Sequence, residues 1–491
     1  MLQAPHPPAG ARERGGAAFR PPQARGGDAP EVAASVAGRE RIASVRALPH
    51  PPPVAEDRLL AAARVHRDGL YCGWGTHGPV FAAPEQCALV LGPPRSGKTT
   101  AVVVPNVLAA RGSVVCISTK GDVLEATAGA RARRGPVFVF DPSGERADRS
   151  GALAVSWSPL DRAAGWDRAV LAAEAMVGAS GTARVGEHSH WGERAGALLS
   201  SLFHGGALAR MTMAEVCSAV DRRSPERLLA ALSDGEATVA RDVLNGILDT
   251  DAREQSGIWS TASGVLRAYR TGAARASSEG RPLPMEELVR GPATLYIVAG
   301  SEQQEHLAPI VAGLVRDLRS VTYERHWALA GTKAPPLLLV LDELANIAPL
   351  HDLPVLVAEG ASQGLLTLAC LQDLSQARAR WGVAAEGFFS LFGTKLVLGG
   401  VGDRGTLETL SLLAGEHDVA HRSVSRGRPR LRGGGGVQRT LTTRRERRLA
   451  PDAASTPGPG VAYCVFGTTI GRVALPPWFG PPPPQLASRA R

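Results

Sequence analysis

Short apolar runs alternate with helical stretches in two separate parts of the chain. In the first part, the apolar runs predict strands at 87–91, 113–118 and 137–140. The stretches between them predict helices at 97–110 and 121–133. In the second part, the apolar runs predict strands at 293–298, 337–341, 364–371, 395–398 and 461–466. Short strands separated by helices are typical of an α/β protein with a mostly parallel, helix-covered sheet.

The segment between these two parts has a different pattern. Residues 165–287 contain almost no strand-like run and are rich in Ala, Leu, Arg and Glu, so they predict an inserted all-α domain. The sheet domain would then be split into residues 57–164 and 288–480. Residues 1–56 are rich in Pro, Ala, Gly and Arg without any apolar period, which predicts a disordered tail. Residues 481–491 form a second short tail.

The predicted strand at 87–91 leads directly into a complete phosphate-binding motif. Residues 92–99, Gly-Pro-Pro-Arg-Ser-Gly-Lys-Thr, match GxxxxGK[ST] and lie between a predicted strand and a predicted helix. Such a turn holds phosphates with backbone N–H groups, while Lys98 reaches the β- and γ-phosphates of ATP and the Thr99 hydroxyl ligates Mg²⁺. The predicted nucleotide-binding residues are Gly92, Pro93, Pro94, Arg95, Ser96, Gly97, Lys98, Thr99 and Thr100.

Polar residues follow two further predicted strands. The apolar run 337–341 ends in Asp342 and Glu343. In P-loop ATPases an aspartate at this position holds Mg²⁺, and an adjacent glutamate acts as the general base that activates water. The strand at 364–371 ends at Gln372, which is either a sensor of the γ-phosphate or an ordinary loop residue. The predicted catalytic residues are therefore Glu343, Lys98 and Gln372, with Thr99 and Asp342 on the metal.

Charge is concentrated in one segment. Residues 421–449 carry ten arginines and one acid, Glu446, and so account for the whole net charge of +9. This segment is predicted to be either a solvated, disordered loop or an arm that contacts phosphates. The six cysteines form no CxxC pair, which favours reduced thiols and a cytoplasmic protein. No apolar run is long enough to predict a transmembrane segment.

An ordered series of short motifs resembles the type IV secretion coupling proteins of the TraG/TraD kind. The series begins with Val102–Leu108 after the phosphate motif and ends with Arg448-Leu449 and Pro451-Asp452 before the last strand. Between them lie further matches, Ser118–Asp122, Val139–Pro142, Trp157 with Pro159, His190-Trp191 with Ala195, Leu198 and Leu199, Asp342–Asn346, and Gln372. The matches cover most of the chain, from about residue 72 to residue 479.

The resemblance implies a RecA-like DNA translocase that assembles as a ring of six. Such a ring receives a relaxase bound to single-stranded DNA and feeds the DNA into a type IV secretion channel at the inner face of a bacterial membrane. The all-α insert would meet this cargo. Family members usually begin with transmembrane helices, and none is visible in this sequence. Membrane association would then be peripheral and supplied by a partner. The family often has a basic residue, a candidate arginine finger, where this chain has Ala361; Arg404 or Arg380 would then have to serve.

Two alternatives remain open at this point. A double-strand DNA pump of the FtsK or HerA kind shares the motor core, although the helical insert and Lys120–Asp122 argue against it. A cargo receptor that binds ATP but barely hydrolyses it would be compatible with Ala361. A translocation assay that compares single-stranded with double-stranded DNA distinguishes the double-strand pump from the coupling protein. DNA-stimulated ATP hydrolysis distinguishes the cargo receptor from the coupling protein.

Overall fold

The computed structural model describes residues 56–66, 68–76, 78–145, 152–181, 187–300, 303–329, 334–347, 350–426, 437–467 and 469–478. The predicted tails therefore lie outside the described residues, except for Glu56, which begins the first helix. No helix within the described residues is both long enough and apolar enough to cross a membrane. All six cysteines are described, and all are free thiols.

Twelve of the fourteen strands in the described residues form one mixed sheet, in the order β2-β1-β14-β13-β10-β3-β9-β8-β4-β7-β5-β6. The strands are β1 (Tyr71–Gly75), β2 (Gly78–Phe81), β3 (Ala88–Leu91), β4 (Val114–Ser118), β5 (Val137–Phe140), β6 (Leu153–Ala154), β7 (Thr294–Val298), β8 (Leu337–Leu341), β9 (Leu365–Leu371), β10 (Thr394–Leu398), β11 (Glu416–Arg426), β12 (Val437–Arg447), β13 (Val461–Phe466) and β14 (Thr469–Ala474). Strands β11 and β12 form a separate hairpin.

The strands from β10 to β6 run parallel, and β13, β14, β1 and β2 extend one side of the sheet in antiparallel pairs. The central strands are buried along their whole length because helices cover both faces of the sheet. Parallel strands place their carboxyl ends at one edge, where ligands bind in open α/β sheets. The segments that follow β3, β4, β8 and β9 meet at this edge.

The helices that accompany the sheet connect its strands. They are α1 (Glu56–Val65), α2 (Val104–Ala109), α3 (Asp122–Ala132), α12 (Gln304–Ala328), α13 (Leu344–Ile347), α14 (Leu353–Gly360), α15 (Leu374–Trp381), α16 (Phe388–Leu391), α17 (Arg404–Ala414) and α18 (Pro451–Ser455). A π-helical turn over Thr99–Val103 precedes α2, so the helix predicted from Gly97 begins with a wider turn.

Between β6 and β7 the described residues form helices without a regular strand. These helices are α4 (Trp166–Ala179), α5 (Glu187–Leu208), α6 (Met213–Arg222), α7 (Glu226–Asp234), α8 (Thr238–Leu248), α9 (Ala252–Val265), α10 (Gly272–Ala276) and α11 (Met285–Arg290). The sheet is thus interrupted by a helical insertion. One buried hydrophobic cluster continues from the sheet into these helices, so the insertion packs onto the sheet domain.

Trp157 lies at the junction between the insertion and α12. Its side chain is fully buried, and its Nε1 donates a hydrogen bond to Oδ2 of Asp317 at 3.0 Å. A Cβ atom at Gly313 would lie 2.6 Å from the Trp157 ring, so a glycine is needed where the indole crosses α12. The insertion is therefore fixed to the sheet domain by a specific buried contact.

The structure corrects the prediction of an arginine-rich loop. Residues 421–426 belong to β11 and residues 437–447 form β12, and each of these strands has eleven residues. Residues 427–436, between the two strands, lie outside the described residues. Val, Thr and Ser side chains alternate with the arginines in the two strands, and these residue types favour or tolerate extended backbone. The glycine run at 433–436 lies outside the described residues. Strands β1, β2, β6 and β14 were also absent from the sequence prediction.

Candidate nucleotide-binding site

The turn after β3 depends on two glycines. A Cβ atom at Gly92 would lie 2.6 Å from Oγ of Ser96 and 3.0 Å from Cβ of Leu398. Gly97 has a φ of 95°, a conformation that side chains with a Cβ rarely adopt. Arg95 also has a positive φ, 62°, although it carries a side chain. The backbone of the turn is therefore held in a tight and specific conformation.

Lys98 points back into the turn rather than into solvent. Its Nζ donates hydrogen bonds to the carbonyl oxygens of Gly92 at 2.5 Å and Pro93 at 3.0 Å. The Oγ of Ser96 is buried and has no hydrogen-bond partner among the described residues. A lysine ammonium beside an unsatisfied buried hydroxyl on a glycine turn fits an anionic ligand, because phosphate oxygens would satisfy both groups.

Asp342 follows β8 and meets the residue that ends the motif. The Thr99 Oγ1 donates to Asp342, at 3.2 Å from Oδ1 and 3.3 Å from Oδ2. Ser118, the last residue of β4, donates from Oγ to Oδ2 at 3.2 Å. Two hydroxyls and a carboxylate in contact are hard oxygen ligands of the kind that Mg²⁺ prefers. The geometry thus fits a divalent cation held between Thr99 and Asp342.

The environment of Asp342 disfavours its charged form. Its side chain is buried, and burial raises its pKa to about 6, with the nearby Asp122 and Glu343 carboxylates adding to the effect. The hydrogen bonds from Thr99 and Ser118 act in the opposite direction. A buried carboxylate close to two further acidic side chains is a site where a cation would relieve repulsion.

Glu343 and Gln372 lie at the same edge of the sheet. The Glu343 carboxylate is partly buried and accepts a hydrogen bond from Nδ2 of Asn346 at 3.3 Å. Gln372 follows β9, which lies between β3 and β8, and its backbone N–H donates to Oε1 of Gln376 at 2.8 Å. The topology therefore puts Gln372 between the phosphate turn and the carboxylate pair.

The two candidates for an arginine finger, Arg380 and Arg404, differ in their contacts and exposure. Arg380 donates from Nε to the carbonyl oxygen of Ala345 at 2.8 Å, within the segment that follows the carboxylate pair. Arg404 begins α17, is 88% exposed and pairs with Glu408 at 2.7 Å. Ala361 precedes β9 and so lies at the opposite end of this strand from Gln372.

Sequence reasoning did not assign two contacts at this site. The first contact is made by Ser118, which ends a buried strand at the same edge of the sheet. This position at a strand end is the sequence feature from which the contact could have been predicted. The second contact comes from the C-terminal part of the chain, where the Trp478 backbone N–H donates to the carbonyl oxygen of Thr100 at 3.1 Å. A long-range contact of this kind has no local sequence signal.

The mostly parallel sheet, with a lysine-bearing glycine turn held against a buried aspartate, defines a RecA-like P-loop protein. The chain belongs to the family described as type IV secretory system conjugative DNA transfer, whose pattern it matches over residues 54–449. This match covers most of the chain and includes every residue assigned to the nucleotide, the metal and catalysis.

Relatives and solved structures agree with this assignment. Two conjugal transfer proteins TraG of Escherichia coli are each 26% identical, over 330 and 383 residues, or 61% and 70% of this chain. The aligned parts are 50% and 58% of these relatives, so the chain spans little more than half of their length. The structure of the bacterial conjugative coupling protein TrwBdeltaN70 has a TM-score of 0.62 at 21% identity, covering 86% of this chain and 92% of the other. The plasmid coupling protein TrwB in complex with ADP and Mg²⁺ has a TM-score of 0.59, also at 21% identity, with coverage of 86% and 92%.

Proposed function

We propose that the protein is a Mg²⁺-dependent ATPase that moves DNA as a coupling protein. In this role it recruits a relaxase bound to single-stranded DNA to a type IV secretion channel at the inner face of a bacterial membrane. The observation that carries the proposal is the contact between Thr99 and Asp342 beside the lysine-bearing turn. Family membership supports the DNA-transfer role, and the complex of TrwB with ADP and Mg²⁺ supports the choice of ligand.

The phosphate-binding residues would act by position and charge. Backbone N–H groups of the turn and the Ser96 hydroxyl would surround the phosphates, and the Lys98 ammonium would leave the two carbonyl oxygens it now contacts for the β- and γ-phosphates. Thr99 and Asp342 would hold Mg²⁺, which when bound neutralises phosphate charge as a Lewis acid. The residues assigned to the nucleotide are Gly92, Pro93, Pro94, Arg95, Ser96, Gly97, Lys98, Thr99 and Thr100.

Glu343 is the proposed general base. Its carboxylate lies next to Asp342 in sequence, and Asn346 holds it by a hydrogen bond. In this role it orients the attacking water and accepts its proton as the water oxygen bonds to the γ-phosphorus, while the bond from that phosphorus to the bridging oxygen breaks and ADP leaves. Gln372 would contact the γ-phosphate and report hydrolysis to α15, since its backbone already contacts Gln376 in that helix.

Assembly and cargo recognition complete the proposal. The protein would act as a ring of six, in which an arginine of one subunit completes the site of its neighbour. Arg404 suits this role better than Arg380 because its side chain is 88% exposed and its partner Glu408 lies on the surface of the same helix, whereas Arg380 is part-buried against the backbone of Ala345. Isolated subunits should hydrolyse ATP slowly, since such a finger contributes about a thousandfold or more. The insert, near 165–287, would meet the cargo.

The variant Glu343→Gln tests the catalytic assignment. It keeps the size and hydrogen-bonding capacity of the side chain but cannot accept the proton, so ATP should bind with unchanged affinity and remain unhydrolysed. Binding is measured with a fluorescent ATP analogue and turnover by phosphate release. Turnover close to that of the wild type would contradict the role of Glu343, and loss of binding would show that the residue acts on the nucleotide instead. Asn346→Ala is a useful comparison, because it leaves the carboxylate intact and should reduce turnover less.

A further inference from the structure

The hairpin of β11 and β12 is a long ribbon, and within the described part of the chain neither strand pairs with any other strand. Eleven residue pairs join the two strands, from Glu416 opposite Arg447 to Arg426 opposite Val437. The base is fastened to α17, because Ser411 donates from its buried Oγ to the carbonyl oxygen of Leu449 at 2.6 Å. The Arg448 N–H also donates to the carbonyl oxygen of Gly415 at 2.9 Å. The ribbon is thus a folded arm with a fixed base.

Acidic residues neutralise the base of this arm but not its outer half. Near the base, Arg445 lies 3.4 Å from Glu416, and His421 lies 2.7 Å from Glu446. Farther out, no carboxylate of the described residues forms an ion pair with Arg422 or Arg439, and none pairs with Arg444, which lies closer to the base. The sequence from Val419 to Arg445 contains no acid at all. The outer half is therefore an uncompensated positive surface.

The strand register concentrates this charge on one face. Residues directly opposite each other share a face, and side chains alternate along each strand. Because Arg422 is opposite Leu441, it lies on the same face as Arg439, Arg445 and Arg447. Same-face positions on one strand are about 7 Å apart. Arg444 lies on the other face, where its neighbours along the strand are Thr442 and Glu446 and the residue opposite is Val419. Exposed arginines on strand edges can serve simply to prevent aggregation, but that role does not require four of them on one face.

An isolated two-stranded ribbon is only marginally stable in water, and like charges on one face reduce its stability further. A polyanion would remove this repulsion. Guanidinium groups bind phosphates by paired hydrogen bonds, and Ser and Thr hydroxyls are common additional donors to DNA backbones. Ser423 and Thr440 supply such hydroxyls as a cross-strand pair on the face that carries Arg444, and they are next in sequence to Arg422 and Arg439. A two-stranded ribbon also has the width that a DNA groove admits.

We propose that the β11–β12 ribbon is a DNA-backbone contact, in which Arg422 and Arg439 on one face and Arg444 on the other bind phosphates. This inference rests on the proposed function and deepens it by assigning a DNA-binding surface outside the nucleotide site. A lipid surface is less favoured as the partner, because a membrane-binding ribbon would expose several apolar side chains. On the described part of the ribbon, Leu441 is the one large apolar side chain that is strongly exposed. The contact would be sequence-independent, because phosphates carry the same charge whatever the base.

The test is the salt dependence of DNA binding by the full-length protein. The triple variant Arg422→Gln, Arg439→Gln, Arg444→Gln is compared with the wild type by fluorescence anisotropy, using a labelled single-stranded oligonucleotide and its duplex. Losing three phosphate contacts should reduce the slope of log K against log salt by about 2 for single strands and about 3 for duplex. Between about 50 and about 200 mM salt, the wild type should lose about 16-fold more affinity for single strands than the variant does.

Two further variants show whether the location of the charge matters. Replacing the same three arginines by lysine keeps the charge and should keep most of the slope. Replacing Arg64, Arg111 and Arg133, which are exposed on the sheet domain away from the insertion, by glutamine removes the same net charge and should leave the slope unchanged. Basal ATP turnover without DNA should be the same in all of these proteins, which shows that they are folded.

The outcomes separate this inference from the proposed function. If the wild type binds no DNA, the proposed function itself fails. If it binds DNA and the ribbon variant binds with the same slope, only the ribbon assignment is overturned. An equal loss in the sheet-domain control variant would also overturn it, because net charge would then explain the effect. Binding to vesicles of anionic lipid that depends on the ribbon, with DNA binding unaffected, would identify a membrane contact and contradict the proposal.

Discussion

The Thr99 hydroxyl lies 3.2 Å from Oδ1 of Asp342, although 243 positions separate the two residues in the chain. The contact exists because β3 and β8 both flank β9 and end at the same edge of the sheet. The helical insertion lies between these strands in sequence without separating them in space. This relationship joins the phosphate turn to the carboxylate pair and supports the proposed motor.

Thr99→Ala should weaken Mg²⁺ binding without unfolding the protein. The change removes a proposed ligand and leaves the Asp342 carboxylate beside an apolar methyl group. We expect the Mg²⁺ affinity of the ATP complex to fall by about tenfold or more, with a corresponding loss of turnover at low Mg²⁺. Titration of ATP hydrolysis with Mg²⁺ measures this change. Thr99→Ser keeps the hydroxyl and should stay within a few-fold of the wild type, and an equal loss in both variants would argue against ligation by Oγ1.

Gly97→Ala should damage the phosphate turn, because the φ of 95° at Gly97 is unfavourable for any residue with a Cβ. We expect a destabilisation of about 1–2 kcal/mol, or a rearranged turn that binds ATP at least about tenfold more weakly. Gly129→Ala is the matched control, since a Cβ there meets no atom within 4 Å and the residue lies inside α3. That variant should be stabilised by roughly 0.5–1 kcal/mol. Thermal unfolding and ATP titration of both variants distinguish a turn effect from a general glycine effect.

Asp317→Asn should change how stability depends on pH. Burial raises the pKa of Asp317 to about 6, against the effect of its hydrogen bond from Trp157. The folded protein therefore binds an extra proton between about pH 4 and pH 6, and the free energy of unfolding falls as the pH rises through this range. A pKa difference of about two units corresponds to at most ~3 kcal/mol.

The asparagine variant retains an oxygen that can accept from Trp157 and carries no charge. Denaturant unfolding from pH 4 to pH 8 should show a flatter profile and a more stable protein at pH 7 than the wild type. The surface control Asp242→Asn, whose side chain is 63% exposed, should keep the wild-type profile. A profile unchanged by Asp317→Asn would show that another group causes the pH dependence.

The sequence predicted the parts of the fold that rest on long apolar runs. Strands such as β5, β8 and β13 were predicted to their last residue, because a strand buried on both faces is a continuous apolar run. The phosphate turn was predicted because its glycines and lysine are required at fixed spacing. Strands β1, β2 and β14 were not predicted, since each contains glycine and β2 also contains proline, residues that local propensity does not assign to strands.

The remaining contacts depend on tertiary structure. Ser118 contacts Asp342 only because β4 is the neighbour of β8, and sequence spacing does not specify the order of strands. The arginine-rich segment was predicted as a loop because charge and glycine dominate its composition. Its Val and Thr residues lie in two strands that pair with each other. This pairing has a defined register, which composition alone does not reveal.

The most direct test of the motor is ATP turnover with and without DNA. Purified protein is assayed for phosphate release in Mg²⁺, alone and with single-stranded or duplex DNA, beside Lys98→Ala as the control that lacks the phosphate-binding ammonium. The account predicts slow turnover alone, stimulation by DNA with single strands preferred, and no turnover in Lys98→Ala under any condition. ATP binding with no stimulation by either form of DNA would contradict it and indicate a nucleotide-binding receptor, and stimulation by duplex alone would indicate a double-strand pump.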